Sequence, residues 1–362
     1  MKLFTCANCQ NILYFENTHC EKCHAALGYW SAGNRMVPMV ADGAAWRGIT
    51  ANAQTDTTLP ALRYCANAEH AACNWLLCAD DDTTLCASCR HNRRIPSLSD
   101  PTQAELWRRV QRAKNRLFYS LLRLGLPVAE PNGNSGALIF DVLADPPDMS
   151  AAHVMTGHQD GCITLALAEA DDAERERRRT RFDEPYRSLL GHLRHEIGHY
   201  YWDVLVRDGS ALQPCRELFG DDRNDYAEAL ARYHREGPPP DWATAHVSAY
   251  ATAHAWEDFA ESFAHYLHIV DTLEMAAYFG VRLRPVLPGP EARAMAAELK
   301  YDPNSAGDFT AIIDAWLPLT YMANNLNRCM GSADLYPFTL TETAVRKLGF
   351  IHALVGAQRP GA

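Results

Sequence analysis

Two histidines four residues apart, with a glutamate directly after the first, stand at His195, Glu196 and His199 in the run RHEIGHYYW. On a helix, residues four apart lie one above the other, so both imidazoles can approach one ion from the same side. Glu196, one step round the helix, is placed to bind a water on that ion rather than the ion itself, which is the mechanical content of an HExxH motif. A catalytic zinc commonly has three protein ligands and one open position, so a third ligand is required. The segment SAYATAHAWEDFAESFAHYLHIVD can supply it from a second helix. Tyr250, His254, Glu257, Glu261, His265 and His268 recur there at steps of four, three, four, four and three, which places them on one face. Such a polar stripe beside Trp256, Phe259, Phe263 and Leu267 needs partners, because unpaired buried carboxylates are costly. By spacing alone Glu257 and Glu261 are equivalent, and His254 is a rival ligand.

A second chemistry is written in the cysteines. Of twelve, nine lie before residue 90. Cys6 and Cys9 form one CxxC pair, and Cys20 and Cys23 form another ten residues later. Two such turns facing each other across a hairpin put four thiolates at the corners of a tetrahedron, the arrangement of a structural zinc. The block CANAEHAACNWLLCADDDTTLCASC offers Cys65, Cys73, Cys78, Cys86 and Cys89 for a second zinc. Cys86 and Cys89 make the clear knuckle, Cys65 and Cys73 are the expected partners, and Cys78 is expected as a packed thiol, with His70 and His91 as substitutes at a corner. Cys162, Cys215 and Cys329 lack metal spacing and are expected in the core.

The elements that must carry these residues can be read from period and punctuation. A helix is expected after the SDP at residues 99–101, with Ser99 or Asp100 as cap and Gly125 and Pro127 as its end. ALIFDVLAD and CITLALAEA read as strands, the latter as an edge to which an extended peptide could add. A helix from about Pro185 to Val206 carries HExxH and buries Leu190, Leu193, Ile197, Tyr201 and Val204. The charged stretch DDAERERRRTRFDE before it is expected as a solvated face, or as a rim for acidic substrate groups. Past residue 285, further helices are expected to pack on this domain, with Asn324, Asn325 and Arg328 as alternative pocket-lining residues. The domain layout is therefore residues 1–30 as a zinc ribbon, 31–60 as an irregular connector, 61–95 as a second cysteine-rich zinc lobe and 96–362 as the HExxH domain.

Composition limits the function classes. The 362 residues are 48% hydrophobic and 22% charged, with net charge −10. No apolar run approaches the length of a membrane span. Residues 1–96 balance eight basic against eight acidic residues, so the whole net charge falls on the HExxH part, which argues against nucleic acid as partner. RHNRR at Arg90–Arg94 is accordingly expected as a solvated linker. Cysteines occupy the place where an export signal would carry its apolar stretch, so a reducing, cytoplasmic location is expected.

The HEIGH motif, the EDFAE segment 58 residues after its last histidine, and a tyrosine seven before Glu257 together resemble the gluzincin type of zinc metallopeptidase, including the peptidase domain of anthrax lethal factor. With the cysteine-rich front, the layout resembles a bacterial family of zinc-binding metallopeptidases with an N-terminal zinc-ribbon region, over nearly the whole chain. The resemblance implies an α+β, zincin-like metallopeptidase domain preceded by two small β-rich zinc-ribbon lobes. It implies His195, His199 and Glu257 as zinc ligands, Glu196 as general base, Tyr250 as oxyanion donor with His254 as possible helper, and Glu261 as the carboxylate holding a ligand histidine. Tyr250 reaches the site only if the second helix starts after it. One catalytic and two structural zinc ions are expected, with a protein or peptide substrate, narrow specificity, and a protein partner docked by the ribbons. The competing expectation is a non-catalytic adaptor whose ribbons recruit a protein or nucleic acid.

Overall fold

The protein is described from a computed structural model, which covers residues 1–131, 136–146, 152–181, 188–299, 302 and 307–359. The chain divides into two compact units.

The first unit comprises Lys2–Arg123 and Val128–Arg175. It opens with a short antiparallel pair, β1 (Phe4–Thr5) and β2 (Ile12–Leu13). An antiparallel sheet follows in sequence order: β3 (Ala26–Trp30), β4 (Arg35–Asp42), β5 (Ala45–Gly48), β6 (Leu62–Tyr64) and β7 (Leu76–Cys78). Residues 31–60, expected as an irregular connector, thus contribute two central strands. Asp42 pairs with Ala45 across a two-residue turn in which Gly43 has φ +63°, a conformation suited to glycine and to tight hairpins. Val37, Met39, Leu62 and Leu76 close one face of this sheet. The two cysteine-rich lobes are not separate cores. Phe4 and Phe15 from the first meet Tyr29, Trp75 and the helical Tyr119 in one aromatic cluster, with Phe15–Tyr29 and Tyr29–Trp75 centroids both 4.8 Å apart.

Helix α1 (Pro101–Arg123) belongs to this unit. Asp100 caps it, its Oδ1 accepting from the Thr102 and Gln103 amides, and Gly125 at φ +70° follows its end. A second, mixed sheet has the order β10 (Gly157–Gln159), β11 (Cys162–Ala166), β9 (Ile139–Leu143), β8 (Asn92–Arg94). β11 is therefore interior and not the expected edge, because β10 pairs antiparallel along it. The RHNRR stretch is likewise not a free linker. It enters β8, and Arg93 and Arg94 clamp the fully buried Asp141 of β9. Cys162 is half-buried beside Arg93.

Helix α2 (Asp172–Arg181) begins in the charged stretch. The remainder of that stretch, and the expected helix start at Pro185, lie outside the described residues. The second unit is Met1, Leu124–Pro127 and Glu176–Ala362, and among the described residues its main elements are helices. Its helices are α3 (Leu189–Leu205), α4 (Leu212–Phe219), α5 (Tyr226–Glu236), α6 (Ala255–Tyr278), α7 (Pro290–Ala294), α8 (Phe309–Cys329) and α9 (Glu342–Gly356), with a small pair β12 (Arg282–Leu283) and β13 (Ala297–Glu298). α3 and α6 make the most extensive contact, and α8 and α9 pack on α6. Leu193, Ile197 and Tyr201 of α3 are buried as their spacing implies, whereas Val204 is exposed. Asn324 holds the Tyr336 main chain through both amide atoms, and Arg328 pairs with Asp334, so both brace the fold. Cys215 is buried, but Cys329, expected in the core, is exposed at the end of α8.

Candidate metallopeptidase centre

Ser188 caps α3, its hydroxyl accepting from the Gly191 amide at 3.0 Å. From that start the helical repeat turns His192, His195, Glu196 and His199 toward α6. Gly198 lets the two helices meet, since a Cβ built there would lie 2.8 Å from the Ala260 Cα. Ala260 sits between Glu257 and Glu261, so the closest approach of the helices coincides with the polar stripe.

His195 Nε2 lies 2.9 Å and His199 Nε2 3.4 Å from the same Glu257 oxygen, and the two Nε2 atoms are 3.1 Å apart. All three residues are buried. Glu261, one turn along α6, takes the other side of His195: its Oε1 is 2.7 Å from Nδ1, and its Oε2 accepts from the Ser248 hydroxyl at 2.6 Å. His195 thus stands between two carboxylates, which calls for positive charge at the ring: a proton on Nε2 supplies it, and so does a cation at Nε2 with Nδ1–H donating to Glu261. A cation held by His195, His199 and Glu257 satisfies that need, with Glu261 fixing the tautomer. The same two carboxylates favour the protonated ring where no cation is held. Burial pulls His195 down, but Glu257 and Glu261 outweigh it and hold the imidazole well above its ordinary value. Burial pushes Glu257 up, but His199 and His195 hold it well below the usual carboxylate range.

Glu196 is buried, with one oxygen 3.2 Å from His192 Nε2 and the other making no hydrogen bond among the described residues. α6 starts at Ala255, after Tyr250, which occupies a separate 3-10 turn, Tyr250–Thr252. The Tyr250 ring therefore comes to 5.9 Å from that of His195. His254, expected as a rival ligand or oxyanion helper, is instead the cap of α6. Its Nδ1 accepts from the Trp256 amide and its Nε2 donates to the Asn224 carbonyl, both at 3.1 Å, so both ring nitrogens are committed to backbone. His265 is turned to Tyr336 at 2.6 Å, and His268 to Arg194 at 2.7 Å. Tyr226, without a motif to mark it, donates its hydroxyl to the second Glu257 oxygen.

The cysteines of the first unit form two further clusters, Cys6, Cys9, Cys20, Cys23 and Cys65, Cys73, Cys86, Cys89. Sulfur separations are 3.7 Å for Cys6–Cys23, 3.6 Å for Cys9–Cys20 and 3.7 Å for Cys73–Cys86. These are too long for disulfides and match the edge, about 3.8 Å, of a tetrahedron with zinc–sulfur bonds near 2.3 Å. Gln10 and His24, each directly after a CxxC, both take φ near +60°, so the two knuckles of the first cluster are alike. In the second, the Cys86 amide donates to Cys65 sulfur and the Cys89 amide to Cys86 sulfur, both at 3.4 Å, and Asn115 of α1 donates to Cys73 at 3.8 Å. Cys78 lies outside the cluster. His70 and His91 do not substitute at a corner: His70 is exposed and His91 Nδ1 donates to the Leu138 carbonyl at 2.7 Å.

An HExxH helix crossed by a second helix that supplies a glutamate, preceded by paired cysteine knuckles, defines a zinc-site protein with a ribbon front. Comparison with protein families gives the same division: residues 3–100 match a zinc-ribbon domain, and residues 103–354 match the family described as putative zinc-binding metallo-peptidase. The chain belongs to that metallopeptidase family. It is 42% identical over 370 residues to an uncharacterized protein of Mycobacterium bovis, and equally to uncharacterized proteins from two strains of Mycobacterium tuberculosis, covering 99% of this chain and 97% of each relative. No solved structure matches it. Among the described residues, no helix is long and apolar enough to cross a membrane.

Proposed function

We propose that this chain is a gluzincin-type zinc endopeptidase of narrow specificity, acting in the cytoplasm on a protein or peptide substrate, with its ribbons docking a protein partner rather than nucleic acid. The observation that supports this best is the convergence of His195, His199 and Glu257 on one point, with Glu261 behind His195. A zinc ion there supplies Lewis acidity, which acidifies a water and polarises a peptide carbonyl. Glu196 accepts the water's proton through its unengaged oxygen and passes it to the leaving amine. Tyr250 donates a hydrogen bond to the oxyanion, and Glu261 keeps the His195 lone pair directed inward. His254 caps α6, and any help it gives Tyr250 is through that placement.

Elemental analysis of the purified chain is expected to give three zinc ions, falling to two in the His195→Ala, His199→Ala double variant. Glu196→Gln is expected to keep three ions and lose hydrolysis of peptide libraries by at least a hundredfold, in the range general-base catalysis supplies. Retained turnover with the metal in place removes Glu196 from the mechanism. Two ions in both wild type and double variant favour the adaptor reading.

A further inference from the structure

A peptidase centre must admit a polypeptide, yet here His195, Glu196, His199 and Glu257 are each no more than 7% exposed. Helix α5 contributes to what covers them. Tyr226, its first residue, bonds to Glu257 and lays its ring 5.5 Å from Trp256, whose own ring lies 3.8 Å from that of His199. Tyr233, seven residues on and so on the same face, sets its ring 5.7 Å from that of Tyr250. One helix therefore touches both the expected ligand set and the expected oxyanion donor.

α5 is nevertheless poorly rooted. Of its eleven residues only Ala229 is buried, so its apolar stripe of Tyr226, Ala229, Leu230 and Tyr233 is only partly covered. A helix of that length is marginal without such packing. A cleft of about 300 Å³ runs beside it, lined among others by Ala229, Tyr233, Pro238 and Thr252. The chain turns at Gly237, φ +73°, directly after its last residue, and three prolines follow. Few buried residues and a void alongside mark a segment that opens locally while its surroundings stay folded.

We propose that α5 is a movable cover, latched over the HExxH centre by Tyr226 and Tyr233, that must lift before a polypeptide can reach Glu196. The inference rests on reading this centre as that of a zinc peptidase, and it identifies the restraint on that activity as built into the chain. Closed, the cover fills the approach with two tyrosines and keeps Tyr226 on Glu257. Open, it exposes both and leaves α3 and α6 in place.

The test uses the full-length, zinc-loaded chain and a chromophoric chelator. In the wild type, zinc at the HExxH centre is expected to leave slowly. Tyr226→Phe, Tyr233→Ala and Ala229→Glu are each expected to release it about tenfold faster or more, with zinc per chain unchanged before chelator is added. Tyr233 and Ala229 touch no ligand, so acceleration by Tyr226→Phe alone means that Tyr226 only orients Glu257, and overturns the cover. Hydrogen exchange of the wild type gives a second readout that needs no metal. Amides of residues 226–236 are expected to exchange at least a hundredfold faster than those of α3 and α6, and protection equal to those helices overturns the proposal. If the His195→Ala, His199→Ala double variant keeps the wild-type zinc count, the metal reading fails, and the exchange data still decide whether α5 moves.

Discussion

Gly198 is the residue whose replacement probes the centre most directly, although it supplies no ligand itself. A methyl at this position would lie 2.8 Å from the Ala260 Cα, 3.0 Å from its carbonyl oxygen and 3.2 Å from the Phe263 Cβ. Two of the three obstacles are backbone, so no rotamer change relieves them, and reaching ordinary contact at 3.4 Å requires α3 and α6 to part by about 0.6 Å. Helix propensity alone makes Gly198→Ala stabilising by about 1 kcal/mol. Overpacking in a filled interior costs about 1–3 kcal/mol, so the net effect is a loss of up to about 2 kcal/mol, or several degrees in Tm. The effect on metal is larger than that on stability. Ligand positions tolerate only about 0.2 Å, and the forced separation moves His195 and His199 on one helix away from Glu257 on the other. Gly198→Ala should therefore lose the third zinc ion, as measured by elemental analysis after mild chelation, while both cysteine clusters stay loaded and the helical circular dichroism is kept. A variant that holds three ions with unchanged or raised Tm would show that the close approach is incidental and propensity decides the position.

Two other substitutions test the ribbon-bearing unit. Asp141→Asn removes the carboxylate clamped by Arg93 and Arg94, and should destabilise by about 1–3 kcal/mol at pH 7 by denaturant titration. Burial pushes the Asp141 carboxyl up, but the two arginines outweigh it and hold it below its ordinary 3.8, so its contribution is complete above that value and lost as pH falls through the lower folded one. The wild-type advantage over Asp141→Asn should accordingly shrink as pH falls below 3.8, and an advantage that stays constant through that range contradicts the assignment. Lys114 of α1 is buried, its ammonium on the Ser88 carbonyl and the Asn92 side chain, in the knuckle between Cys86 and Cys89 and just after it. As a buried cation in the field of a four-thiolate site, dianionic when it holds zinc, it should slow zinc loss there. Lys114→Met should make the second cluster about tenfold easier to strip, with the first cluster as internal control.

What was legible in the sequence was whatever short-range spacing dictates. CxxC pairs bring sulfurs together within a few residues, and the four-residue step between His195 and His199 works on any helix, so these groups could be identified without a fold. Residues 31–60 were harder because Pro38 sits inside β4, where proline ordinarily argues against a strand, and because the hairpin signal is a single Asp42–Gly43. The aromatic core shared by the two cysteine lobes depends on partners up to 115 residues apart, Phe4 and Tyr119, and no local period encodes it. His254 shared the phase of the acidic stripe, but phase has meaning only inside a helix, and this histidine is the residue at which the helix begins. Tyr226 reads in the sequence as one residue of the apolar stripe of its own helix, and only the assembled unit brings its hydroxyl to Glu257.

The position of α1 has a consequence for how such proteins can be cut and recombined. The family models divide the chain near residue 100, yet Asn115 reaches the Cys73 sulfur and Tyr119 completes the aromatic cluster from the far side of that division. A gene fusion or truncation made there would carry away four thiolates without the amide and the lysine that attend them, and would expose Phe15 and Trp75. The smallest heritable piece that keeps the second cluster whole extends at least through α1. Exchanges within this family should therefore keep the ribbon segments with residues 92–175, with crossovers tolerated beyond Arg175, where the first unit ends, and not at the boundary that sequence similarity suggests.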